Sequence, residues 1–263
     1  MRDSELESNR TVTGSDRQTV GVNQNRATSR ESLESALEKL SVDDAAKRAE
    51  GIAAFRAVAN ADPDRVGQYL SAIEPRLADD SATVRNSATH VFAAVAKTDP
   101  EHVGDFLSTL VPRAADGDAT VRRNATYAFG EVAKTEPDCV GQYLSALRSG
   151  LADPEPRVRT NVALAFRRVA ERDPESVGPH VDALAACLDD GNATVRRNAV
   201  LACCGVAGRS PYLIKPHVDR IEARLDDPVE RVRQAAGTTL GTMTGTGTKV
   251  FHPETTLTGP GTE

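Results

Sequence analysis

Apolar and polar positions alternate along this chain with the period of an α-helix, in stretches set off by Asp-Pro pairs. After Asp62-Pro63, the residues Val66, Leu70, Ile73 and Leu77 follow at three- and four-residue steps, which is one face of a helix. Two acids, Asp79-Asp80, interrupt the pattern. Val84, Ala88, Phe92 and Val95 then make a second apolar face, which stops at Asp99-Pro100. Aspartate suits a helix N-cap, and proline suits the first turn, where its missing N–H is not needed. Residues 62–98 therefore read as two helices joined by an acidic turn. Neither has enough apolar surface to be buried alone.

The same unit recurs. DATVRRNA at 118–125 returns as NATVRRNA at 192–199, and half that separation is 37 residues. Val-Arg pairs fall at 84, 121, 158, 195 and 232, prolines at 63, 100, 137, 174 and 211, and aspartates at 79, 116, 153, 190 and 227. Lys47-Arg48 stands one step earlier. A core column reads Phe55, Phe92, Phe129, Phe166, Cys203 and Leu240. The second helix of each unit starts at Ser81 or an equivalent position: Asp44, Asp118, Glu155, Asn192 and Val229. Stacked units of this kind bury one continuous core, so the expected fold is an all-α solenoid of about six helix pairs over 29–245. Polar residues 1–28 and Gly/Thr-rich residues 246–263 read as disordered tails.

Composition fits this picture. Aromatic residues are 4% and there is no Trp, so Ala, Val and Leu must build the core. No apolar run is long enough to span a bilayer, and the N-terminus lacks a secretory pattern. The expectation is a monomer in the cytoplasm, with Cys139, Cys187, Cys203 and Cys204 as reduced thiols. Their spacing matches no zinc motif, and no metal, cofactor or catalytic signature is found. The net charge is −6, mild enough to speak only for solubility.

A helix pair with Asp in the turn and Val-Arg closing six residues after that Asp resembles the HEAT repeat in its short prokaryotic form. The likeness covers 30–245. The spacing of six holds for Asp79/Arg85, Asp116/Arg122, Asp153/Arg159, Asp190/Arg196 and Asp227/Arg233. The resemblance implies that these residues form a structural ladder between repeats. Val42 takes the aspartate's place in the first unit, as a capping feature would. Asn124, Asn161 and Asn198 form a further column, expected to bond nearby backbone or the neighbouring repeat.

The resemblance also implies that the second helices line a concave surface. With Val84 set at zero and 100° per residue, the exposed stripe is Asn86, His90 and Lys97, then Arg123, Tyr127 and Lys134. It continues through Leu164, Arg167, Arg168 and Glu171 to Arg197, Leu201 and Cys204. The second helices carry net positive charge in a chain that is negative overall. This stripe is expected to bind a protein partner with an acidic or extended segment, with basic density greatest at Arg167, Arg168 and Arg197.

The expected role is thus a non-catalytic scaffold for protein interaction or assembly. The alternatives are an enzyme-associated protein like the bilin lyases or the HEAT-like lysine hydroxylases, or a nucleic-acid binder. The hydroxylases use His-Glu pairs, and this chain has none. His180 and His217 share a column with Tyr69, Phe106 and Tyr143, which reads as packing rather than a metal pair.

Overall fold

A computed structural model of the chain describes residues 32–245. The two tails read from composition lie outside those residues. Residues 32–40 form the opening helix, and among the described residues everything else is helix and turn.

Six long helices carry the repeat: α1 (Ala45–Ala61), α2 (Ala82–Ala96), α3 (Ala119–Thr135), α4 (Pro156–Arg172), α5 (Ala193–Ala207) and α6 (Glu230–Thr244). Their N-caps are Asp44, Ser81, Asp118, Glu155, Asn192 and Val229. The side chains of Asp44, Asp118, Glu155 and Asn192 accept first-turn N–H groups. Each long helix packs on the next, so the chain is an all-α solenoid. The column Phe55, Phe92, Phe129, Phe166 and Cys203 is fully buried along its axis.

The first half of each repeat is not one helix. In repeat 3 it is Pro100–Gly104, then Leu107–Leu110, then a 3-10 turn at Val111–Ala115. The corner residue is Phe106, at φ −105° and ψ 6°. Tyr69, Tyr143, His180 and His217 adopt nearly the same corner. Turning here aims the corner side chain at the core column of the preceding repeat. Tyr69 meets Phe55 at 5.3 Å, Phe106 meets Phe92 at 5.3 Å, Tyr143 meets Phe129 at 5.8 Å and His180 meets Phe166 at 5.3 Å. Tilted and edge-on rings at such distances attract beyond simple burial. Pro179 and Pro216, in mid-segment, are the sequence signal for the break.

The Asp and Arg columns join repeats at a separation of 31 residues, not six. Arg48 grips Asp79 through Nε at 2.6 Å and Nη2 at 3.1 Å. The same two-pronged grip links Arg85 to Asp116, Arg122 to Asp153, Arg159 to Asp190 and Arg196 to Asp227, with Nε at 2.6–2.8 Å. The six-residue relation is a backbone one: Arg85 Nη1 donates to the Asp79 carbonyl at 2.8 Å, and Arg122 Nη1 to the Asp116 carbonyl at 2.9 Å. Each arginine thus pins its own turn and the next repeat together. Each aspartate also accepts the N–H two residues on, as Asp79 does from Ser81 at 3.0 Å. The first unit needs no aspartate because no arginine precedes it. There the Val42 carbonyl takes Arg48 Nη1 at 3.2 Å.

These pairs set an acid limit. Burial alone would raise the carboxyl pKa of Asp79, Asp116 and Asp190, but the arginine hydrogen bonds, a backbone N–H and the guanidinium charges outweigh it and hold all three below the ordinary value. In Asp227 the Arg196 hydrogen bond dominates, in the same direction. A carboxylate with a depressed folded-state pKa adds stability above its unfolded pKa, and that contribution disappears as pH falls through the folded value. The urea midpoint should therefore stay level from pH 7 to about 4 and drop steeply below. A midpoint at about pH 3 equal to that at neutrality would show that the ladder contributes nothing to folding.

Candidate functional site

The long helices expose one face along a groove of about 690 Å³ that crosses α1 to α4. Ala59, Pro63, Ala93 and Ala94 give it an apolar floor, and Tyr127 adds a ring. Lys97, Arg123 and Arg157 reach it from three consecutive helices. No carboxylate is among its lining residues.

The packing beneath is a chain of asparagines. Asn124 Nδ2 donates to Asn86 Oδ1 at 3.2 Å, and Asn161 Nδ2 donates to the Arg123 carbonyl at 3.2 Å and to Thr126 Oγ1 at 3.3 Å. These bonds fix neighbouring long helices side by side, and so fix the spacing of Lys97, Arg123 and Arg157. His90 pairs with Asn60 at 2.7 Å. Burial first, then the charges of Arg56 and Arg123, push its pKa down, so His90 is neutral at pH 7. Tyr127 is pushed up to about 12 by burial, then by the charge and hydrogen bond of Glu131. The positive charge facing the groove is therefore that of Lys97, Arg123 and Arg157.

Of the stripe read from helical angles, His90, Lys97, Arg123 and Tyr127 line this groove, and Asn86 sits directly behind it. Lys134 is turned away and pairs with Glu131 at 2.7 Å. Leu164, Arg167, Arg168, Arg197 and Leu201 do not line the groove and are half-buried. The expected basic maximum at the α4–α5 end is not there: Arg167 bonds Glu171 at 3.0 Å and Arg168 bonds the other oxygen of Glu171 at 3.2 Å. Cys204, expected on the exposed stripe, is 3% exposed, with Sγ 3.6 Å from Thr242 Oγ1. The neighbouring helix α6 covers a column that is open on an isolated helix.

Angle reasoning missed Arg157 and Thr160. Arg157 lies one helical turn before Asn161 on the same side, so extending the stripe by one turn would have found it. The histidines do not assemble. His180 stacks on Phe166, and His217 reaches Asp182 at 3.0 Å. Among the described residues no group of three or more His, Cys, Asp or Glu could hold a metal ion. No helix among them is long and apolar enough to cross a membrane. Cys203 is fully buried and pushed up to about 12 by that burial, so it serves as a small core residue.

Similarity to known proteins follows the fold. The family model described as Cnd1, non-SMC mitotic condensation complex subunit 1, matches twice in tandem, over 61–142 and 136–211. Together these spans are more than half of the chain, which belongs to that HEAT-like repeat family. A computationally designed armadillo repeat protein for modular peptide recognition is similar in structure, with a TM-score of 0.71 and 21% identity over 80% of this chain and 99% of that one. A designed armadillo repeat protein in complex with the peptide (KR)4 gives 0.68 and 20% over 80% and 99%. An engineered protein gives 0.70 and 16% over 82% and 97%. At such identities the likeness speaks for the solenoid fold. No curated protein matches.

Proposed function

We propose that this chain is a non-catalytic scaffold, a cytoplasmic monomer that holds a protein partner by an extended acidic segment laid in the α1–α4 groove. The supporting observation is the convergence of Lys97, Arg123 and Arg157 on a groove with no carboxylate in its lining. Two of the three are arginines, whose planar guanidinium can take a carboxylate in two-pronged fashion. The alanine floor lets an extended backbone approach, and Tyr127 offers an apolar anchor. A protein of the same fold holds (KR)4, a wholly basic peptide. Here the lining has the opposite sign, which favours the opposite ligand. The family description as a condensation-complex subunit agrees with a role in assembly rather than catalysis.

The test uses a labelled peptide of alternating Glu and Asp, with (KR)4 as the contrast. The acidic peptide should bind and weaken with added salt, and the basic one should not. Arg123→Glu with Arg157→Glu should weaken acidic-peptide binding by at least about tenfold. Far-UV circular dichroism should not change, because half-exposed charges contribute little to folding. Equal binding of both peptides, or undiminished binding by the double variant, would refute the groove assignment. Preferential binding of single-stranded nucleic acid over the acidic peptide would replace the protein partner with a nucleic-acid one.

A further inference from the structure

Repeat 6 leaves bare a face that the other repeats cover. Leu225 is 43% exposed, while Leu77, Leu151 and Leu188 in the same column are at most 4% exposed. Leu240 and Met243 are half-buried, although the columns they continue, Phe55 to Cys203 and Val95 to Val206, are at most 1% exposed. The ladder stops here too. Among the described residues, Arg233 meets only the carbonyls of Asp227 at 2.8 Å and Pro228 at 3.2 Å, both through Nη1. The five arginines before it each also hold a carboxylate from the next repeat. A second copy stacked head to tail would not supply one, because Val42 stands at that register and its carbonyl already serves Arg48.

We propose that residues 247–263 cover this face as the first half of a seventh repeat. Their composition is that of a polar tail, but their register is that of the solenoid. Phe251 lies 37 residues after Ile214, in the column of Val66, Val103, Val140 and Val177, all of which are fully buried. Pro253 continues Pro179 and Pro216, and Pro260 continues Pro75 and Pro112. Glu263 falls one residue short of the ladder aspartate, and its side chain is one methylene longer, so it is the carboxylate offered to Arg233. Helix α6 ends on Gly245 at φ 72°, the left-handed cap that turns a chain back on its helix. Thr258 and Thr262 replace the aliphatic residues of the Ile73 and Leu77 columns. Docking therefore rests on two anchors, Phe251 in the apolar face and Glu263 on Arg233.

The chain has no Trp, so Phe251→Trp supplies a single reporter in the full-length protein. Its emission should be blue-shifted from that of free tryptophan and shielded from iodide, and both effects should vanish in denaturant. Truncation after Gly245 should lower the melting temperature by about 2–6 °C. Arg233→Gln and Glu263→Gln should each lower it, and the double variant should fall no further than the larger single change. Solvent-like emission overturns the proposal, as does a truncated chain that melts with the full one. Sedimentation as a dimer both before and after truncation also overturns it, because a second copy would then be the cover.

Discussion

Replacing Gly205 with alanine should destabilise the solenoid by about 2 kcal/mol. A Cβ at this position would lie 2.5 Å from the Ala170 carbonyl oxygen and 2.9 Å from both its carbon and its Cβ. Two of these are backbone atoms of α4, so no side chain can swing aside, and α4 and α5 must separate. Forcing a methyl into a packed interior costs about 1–3 kcal/mol, and here the better helix propensity of alanine, worth up to about 1 kcal/mol, offsets only part of it. Gly130 gives the opposite sign. Its added Cβ would sit 3.6 Å from the Asn161 oxygen and from Leu164 Cδ2, an ordinary contact, so Gly130→Ala should stabilise by about 0.5–1 kcal/mol. Urea titrations of the two variants, with hydrogen exchange across α4 and α5, decide the matter. If both substitutions move stability in the same direction, the approach of α4 to α5 is not what excludes a side chain at 205.

Much of the scaffold is legible in the sequence because the repeat is uninterrupted. Six copies of a 37-residue pattern expose N-caps, core columns and the acidic turn at once. The ladder partners are less legible. In a strictly periodic chain, a pair six residues apart within one repeat also implies a pair 31 apart across two, and periodicity cannot choose between them. Only an end breaks the tie. Arg48 has no aspartate six residues before it yet keeps its register, which means that the side chain is meant for the aspartate ahead. The first-half corner was readable from Pro179 and Pro216, but Tyr69, Phe106 and Tyr143 show it forming without a proline in mid-segment, driven by contact with the phenylalanine column.

The groove is legible in part, for a different reason. Helical angles place a residue relative to its own helix, and so they found His90, Lys97, Arg123 and Tyr127. They carry no information on what the adjacent helix covers, which is how Cys204 came to be placed on the surface. Nor does a count of positive charge identify which charges are free to act. Glu171 stands three and four residues after Arg168 and Arg167, the spacing at which helix side chains meet, and it removes the apparent basic maximum from α4. Repeats 2 to 4 keep their cations facing open space because the corresponding positions opposite Lys97, Arg123 and Arg157 are alanine, threonine and asparagine.

Asp116→Ala should be the most damaging single change on the ladder, at about 3 kcal/mol. Its carboxylate takes Arg85 Nε at 2.8 Å and Nη2 at 3.2 Å, Arg113 Nη1 at 3.3 Å and the Asp118 N–H at 3.0 Å. The carboxylate side chain is 5% exposed, and the two guanidiniums are 17% and 22% exposed. Removing one member of a buried pair costs about 3–5 kcal/mol when the stranded charge is fully dry, and the partial exposure of both arginines places this case at the low end. Asp153 offers a graded comparison. It holds Arg122 and the Glu155 N–H, but Gly150 stands where repeat 3 has Arg113, so one cation fewer depends on it. Asp153→Ala should therefore cost less, about 2 kcal/mol. Asp16→Ala, before the repeats, should cost nothing measurable. Denaturant midpoints of the three variants give the order directly. If Asp153→Ala proves as costly as Asp116→Ala, the third cation adds nothing and the rung is a simple pair; if neither differs from Asp16→Ala, cohesion between repeats rests on the apolar columns alone.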